Sequence, residues 1–115
     1  MEFNKDKIIT SEVRQLNKIA KQVPAEKQPI AKSLVKELAF MAGTLAELRE
    51  HINSKGAIEY FKQGKQEFFR ESPALRGYNT TIQRYSLLYK QLVELLPKDS
   101  KPNESELLNF ITQEL

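Results

Sequence analysis

The apolar positions of this chain fall into rows with helical spacing, and prolines and glycines divide them into three long segments. Between Lys5 and Val23, the residues Ile9, Val13, Leu16, Ala20 and Val23 recur at steps of four, three, four and three. That is one face of a helix, and Pro24 ends it. A second helix is predicted over 25–54, where Ile30, Leu34, Leu38, Met41, Leu45, Leu48 and Ile52 form a single stripe. Gly43 reads as a tolerated interior glycine, and Lys55-Gly56 supplies the stop. A third helix, over 73–96, opens with Ser72-Pro73, a capping residue followed by proline at the first helical position. Leu75, Tyr78, Ile82, Tyr85, Tyr89, Leu92 and Leu96 then alternate steps of three and four up to Pro97. Similar lengths and one apolar face each predict that the second and third helices pair as a long antiparallel hairpin.

The segment between them has a different period. Glu59-Tyr60-Phe61-Lys62-Gln63-Gly64-Lys65-Gln66-Glu67-Phe68-Phe69 is nearly palindromic, with aromatic pairs flanking a polar centre that contains glycine. Glycine supplies the positive φ of a tight turn, so a short β-hairpin over 57–70 is expected at the tip of the helical pair. The alternative is a helix that continues through Gly64. Residues 98–104 read as a linker, and 98–115 as a separate docking segment whose Leu107, Leu108, Phe110, Ile111 and Leu115 make a short amphipathic piece. The expected architecture is therefore mainly α, a single domain over 1–97 with an N-terminal helix, the helical hairpin and its β-tip, followed by a short C-terminal helix.

Charge changes the picture more by its distribution than by its total. The formal net charge is +3, yet residues 1–36 hold eight Lys/Arg against four acids, and 97–115 hold two lysines against four acids. On the first helix Lys7, Arg14, Lys18 and Lys21 share the side opposite the apolar row, with Ser11 and Gln22 among them and no acid in the strip. Lys5, Lys32 and Lys36 extend the candidate phosphate-contacting set. A solvated surface with no ligand is the plain alternative. The third helix carries a second ridge, Leu88 and Leu95 with Thr81 in the same row, which one partner helix cannot cover. That surplus predicts self-association through Tyr78, Ile82, Tyr85, Leu88, Tyr89, Leu92 and Leu95. The tyrosines fit packing better than stacking on bases.

Candidate chemistry is sparse. There is no cysteine, hence no disulfide framework or thiolate metal site, and His51 is the only histidine. Glu47 and Glu50 near it read as side chains on a solvated helix face. The four glycines, Gly43, Gly56, Gly64 and Gly77, are too scattered for a phosphate loop. A nucleophile–base constellation is missing, so the chain reads as a non-enzyme with no catalytic residues, no metal and no cofactor. The apolar runs fall short of the ~20 residues of a membrane span, and the N-terminus lacks a signal-peptide layout, so an intracellular protein without a membrane partner is expected.

The order of features from Gly56 to Pro97 resembles a known family. Gly56 with Phe61 and Gly64, then Glu71-Ser72-Pro73-Ala74-Leu75 opening a helix, then Tyr78-Asn79-Thr80-Thr81-Ile82-Gln83-Arg84-Tyr85, is similar to the P27-like small terminase subunits of tailed bacteriophages. The resemblance covers roughly residues 25–97, and it lies in order and spacing more than in any one motif. The chain departs from the broader group in having no compact helix-turn-helix before its central helices; residues 5–36 offer two basic segments around Pro24 to Pro29 instead. The resemblance implies a ring-forming homo-oligomer in the cytoplasm of an infected host. It further implies binding to double-stranded phage DNA at the packaging start and recruitment of the large ATPase–nuclease subunit, with no small-molecule substrate. Leu107, Leu108, Phe110 and Ile111 would dock that large subunit. The competing expectation is a coiled-coil adaptor with no nucleic-acid role; a small helical enzyme around His51 is a third, and would need a concave pocket there.

Overall fold

The computed structural model describes residues 3–98, which form three α-helices and one β-hairpin. Helix α1 (Lys5–Ala20) starts at Asn4, whose side chain accepts a 3.1 Å hydrogen bond from the Lys7 amide. It stops three residues before the expected Val23, because the residue ahead of a proline is pushed out of helical conformation and Pro24 closes the segment. A single 3-10 turn, Ala25–Lys27, then reverses the chain. The Gln28 side chain donates to the carbonyls of Ala20 and Val23, both at 2.7 Å, and so satisfies acceptors that the end of α1 leaves open.

Helix α2 (Gln28–Lys55) ends at Gly56, whose φ of +93° lies in the region that favours glycine. Strands β1 (Ile58–Gln63) and β2 (Gln66–Glu71) pair antiparallel, from Ile58 opposite Glu71 to Gln63 opposite Gln66. Their two-residue turn places Gly64 first with φ +61°, the Gly-X arrangement of a type II′ hairpin. The hairpin is therefore present, and a helix through Gly64 is excluded. Helix α3 (Pro73–Glu94) is capped by the buried Ser72, whose hydroxyl accepts from the Ala74 amide at 3.1 Å. It ends two residues earlier than the spacing predicted.

The helices form a three-helix body in which α2 is central. Lys5 meets Glu47 while Gln28 reaches Ala20, so α1 runs antiparallel to α2. Arg49 meets Tyr78 while Leu34 and Leu95 line one groove, so α3 does the same. The expected pairing of α2 with α3 is present, but α1 completes the same core. Leu16, Ala20 and Val23 join Leu38, Leu45, Tyr85, Tyr89 and Leu92 in one buried cluster.

The sequence pattern predicts one apolar stripe on α2, and the structure shows two. Ala31, Val35, Ala39 and Gly43 form a second buried row. Its small side chains let α1 approach closely: a Cβ on Gly43 would lie 2.7 Å from Cγ1 of Ile9. Gly43 is thus a packing requirement at a helix crossing, beyond the tolerated residue that periodicity alone suggests. The body measures 60 × 28 × 23 Å. A 28-residue helix spans about 42 Å, so the hairpin extends the long axis beyond the helices.

Candidate nucleic-acid interface

The outward side of α1 gathers the cations that the sequence assigns to it. Lys7, Arg14, Lys18 and Lys21 are all exposed, and among the described residues none is held in an ion pair. Lys32 and Lys36, one turn apart on α2, are exposed as well. The local cause is the helical repeat: Leu16 and Ala20 are drawn into the core, and residues about half a turn away must face water. An unpaired ammonium or guanidinium keeps its full attraction for an external anion, since no internal carboxylate competes for it. Rows of such groups contact phosphates without reading sequence.

Lys5 does not belong to this surface. Two residues before Lys7, it lies about 200° around the helix and turns toward α2. There its ammonium sits 3.7 Å from a Glu47 carboxylate oxygen and 5.5 Å from the centroid of the Phe40 ring. Its charge is used within the chain, and it is removed from the candidate phosphate set.

The predicted association ridge on α3 also needs correction. Tyr85, Tyr89 and Leu92 are fully buried inside the single chain, so no neighbouring molecule can reach them. Tyr78, Ile82, Leu88 and Leu95 are half-buried and pack against the same core. The physical reason is α1, a second partner helix that joins the core α3 shares with α2. The Tyr85 hydroxyl donates a 2.5 Å hydrogen bond to the carboxylate of Glu12, which is itself buried. Sequence reasoning missed the role of Glu12, though a signal was present. It stands one helical turn from both Ile8 and Leu16, inside the apolar side of α1.

Exposed apolar surface lies elsewhere. Ile30 and Leu87 are 53% and 62% exposed beside a groove of about 440 Å³ shared with Leu34 and Leu95. A larger set sits on the hairpin. Tyr60 and Phe69 pack edge to face on one side of the sheet, and Phe61 and Phe68 pack on the other. The Arg70 guanidinium lies 4.3 Å from the Phe61 ring centroid and bonds Glu59. Adjacent strand residues point to opposite faces, so the doublets Tyr60-Phe61 and Phe68-Phe69 already encode a sheet with an aromatic pair on each side.

His51 is exposed on α2 and lines neither this groove nor the second one, at the hairpin base. Nearby Glu47 is engaged with Lys5. Among the described residues, no group of three or more His, Cys, Asp or Glu side chains could hold a metal ion. Among them too, no helix is long and apolar enough to cross a membrane. Leu107, Leu108, Phe110 and Ile111 lie outside the described residues. No protein-family model, curated protein or solved structure matches this chain.

Proposed function

We infer that this protein is a non-catalytic DNA-binding subunit of a viral genome-packaging motor, a small terminase subunit of a tailed phage. The observation that carries the reading is the acid-free row of exposed cations on α1, mounted on a rigid helical body. Lys7, Arg14, Lys18 and Lys21 would bind phosphates of double-stranded DNA, with Lys32 and Lys36 adding to the same attraction. The order of long helix, glycine-bounded β-hairpin and Ser-Pro-capped helix supports the terminase assignment. A few phosphate contacts per subunit give weak binding, and a closed homo-oligomer would multiply them through effective concentration. Sequence preference would then come in part from DNA shape and bendability across the assembly. The segment with Leu107, Leu108, Phe110 and Ile111 would recruit the large ATPase–nuclease subunit, in the cytoplasm of the infected host.

The test is a triple substitution, Arg14→Gln, Lys18→Gln and Lys21→Gln, with duplex DNA affinity followed by fluorescence anisotropy at fixed salt. These side chains are exposed, so helix content by circular dichroism should stay at the parent value while affinity falls at least tenfold. Unchanged affinity would remove the DNA-binding reading. It would favour a helical adaptor without a nucleic-acid role, the reading to which the apolar groove at Ile30 and Leu87 belongs.

A further inference from the structure

The hairpin combines three properties that the DNA-binding role leaves unused. It carries aromatic side chains on both faces, it leaves Ile58, Tyr60, Phe68 and Phe69 exposed, and it has no net charge. One face presents Ile58, Tyr60 and Phe69, which are 66%, 53% and 75% exposed. The opposite face presents Phe68, 46% exposed, beside a half-buried Phe61 whose ring lies under the Arg70 guanidinium. A lone two-stranded hairpin is at best marginally stable in water, and exposed aromatic clusters of this kind mark contact surfaces.

The geometry points to a head-to-tail interface in which each hairpin is sandwiched between the hairpins of two neighbouring copies of this chain. The proposal rests on the self-association in the reading above, and it assigns the surface and its polarity. Symmetry favours this arrangement. A two-fold dimer would cover one face of each hairpin and leave the other in water, whereas stacking one face on the opposite face of the next copy covers both. Such a heterologous contact propagates, and it closes into a ring when the rotation allows.

Strand register fits it too. The aromatic pair 60–69 on one face and the pair 61–68 on the other are successive rungs of the ladder. They are offset by one residue, about 3.4 Å along the strand. Stacked copies therefore set aromatic pair against aromatic pair with almost no slip.

Charge is compatible with it as well. The hairpin's Lys62, Lys65 and Arg70 are balanced by Glu59, Glu67 and Glu71. A neutral element can repeat around an assembly without accumulating like charge, and it offers DNA no net attraction. Area agrees with this assignment. An aromatic side chain presents roughly 150–250 Å², so the exposed fractions of Tyr60 and Phe69 leave about 250 Å² in water. That is close to a third of the roughly 800 Å² per partner of a standard interface, before Ile58, Leu75 and the polar rim are added.

The experiment uses the full chain and light scattering coupled to size exclusion. One variant removes the first face (Tyr60→Ser, Phe69→Ser) and another removes the second (Phe61→Ser, Phe68→Ser). Head-to-tail stacking predicts a parent mass several times 13.3 kDa and each variant alone as a monomer with parental helix content. It also predicts a 1:1 heterodimer on mixing, since only one live pair of faces remains. A face-to-same-face dimer would instead leave one variant assembled. Variants that both keep the parent mass would move the interface to the groove at Ile30 and Leu87. A monomeric parent would overturn the proposal and leave the hairpin to a foreign protein.

A second measurement does not depend on the serine variants keeping their hairpins. The chain lacks cysteine, so Lys62→Cys and Gln63→Cys place single thiols on opposite faces. A short bis-thiol crosslinker should give a ladder beyond dimer only when both substitutions are in one chain. Dimers from either single variant would contradict the head-to-tail arrangement. DNA affinity of the same samples is read separately: an assembled protein that ignores DNA defeats the packaging reading and leaves the interface standing.

Discussion

Single residues decide how closely α1 can approach α2. Replacing Gly43 by Ala in an isolated helix would stabilise it by about 0.8–1 kcal/mol through propensity alone. Here the new Cβ would meet Ile9 Cγ1 at 2.7 Å and Cδ1 at 3.0 Å. Ile9 is β-branched and stiff in a helix, so overpacking should outweigh propensity, for a net loss of about 1–2 kcal/mol by denaturant unfolding. A gain in stability for Gly43→Ala would show that α1 does not pack as described. The buried pair Glu12 and Tyr85 links α1 to α3 in the same way. Tyr85→Phe removes one donor from a buried carboxylate that keeps other interactions. It should cost about 1–3 kcal/mol; no measurable cost in the same unfolding assay would mean that the hydroxyl contributes nothing to the core. On the hairpin, the Tyr60 phenol donates to the Glu67 carboxylate, and that bond, with a little dehydration, raises its pKa above the ordinary 10.0. A raised pKa means the bond is fully present below pH 10 and is lost as pH rises through the folded value. Ultraviolet titration should place Tyr60 above the ordinary phenol and return it toward that value in Glu67→Gln.

At the scale of elements, the three helices and the hairpin were legible because their signals are local. Prolines and glycines mark the ends, Ser72-Pro73 caps α3, and the aromatic doublets around Gly64 mark a two-residue turn. Less was legible where a neighbour decides the outcome. The row Ala31, Val35, Ala39 and Gly43 is weakly apolar, and only the approach of α1 gives it meaning. Leu88 and Leu95 read as a surplus ridge, and Tyr85, Tyr89 and Leu92 as part of the same association face, because the place of α1 in the core cannot be read from α3. Lys5 was misassigned for a similar reason, since it takes the Glu47 and Phe40 of another helix to pull it off the cationic side. The turn carries its own prediction. Gly64 has φ +61° and nothing within 4 Å of a Cβ position, so Gly64→Ala meets only the backbone penalty of about 1–2 kcal/mol. Amide exchange of the strand N–H groups should speed up about tenfold while that of the helix core stays unchanged. Equal protection in parent and variant would argue against this turn.

At the scale of the whole molecule, the two proposed roles fall at different places along the chain. The compact three-helix end carries the cations of α1, and the opposite end carries a neutral, two-faced hairpin. The proposed DNA contact and self-association would thus use surfaces that do not compete, and assembly would place many weak cationic faces on one DNA. The exposure of six members of the candidate DNA surface, Lys7, Arg14, Lys18, Lys21, Lys32 and Lys36, was legible because exposure of a helix side follows from periodicity. The proposed apolar contact surface was legible only in part: the doublets Tyr60-Phe61 and Phe68-Phe69 place aromatics on both faces of the hairpin, but which surfaces stay exposed depends on what the chain itself covers. The central claim is electrostatic, and the most direct measurement is the affinity of the full chain for duplex DNA across a range of salt concentrations. Each phosphate neutralised contributes about −0.9 to the slope of log affinity against log salt. The account predicts a slope steeper than about −3 for the parent. In the Arg14, Lys18 and Lys21 variant the slope should become shallower by about one for every phosphate that is no longer neutralised. A slope near zero, or one the triple substitution leaves unchanged, would contradict it.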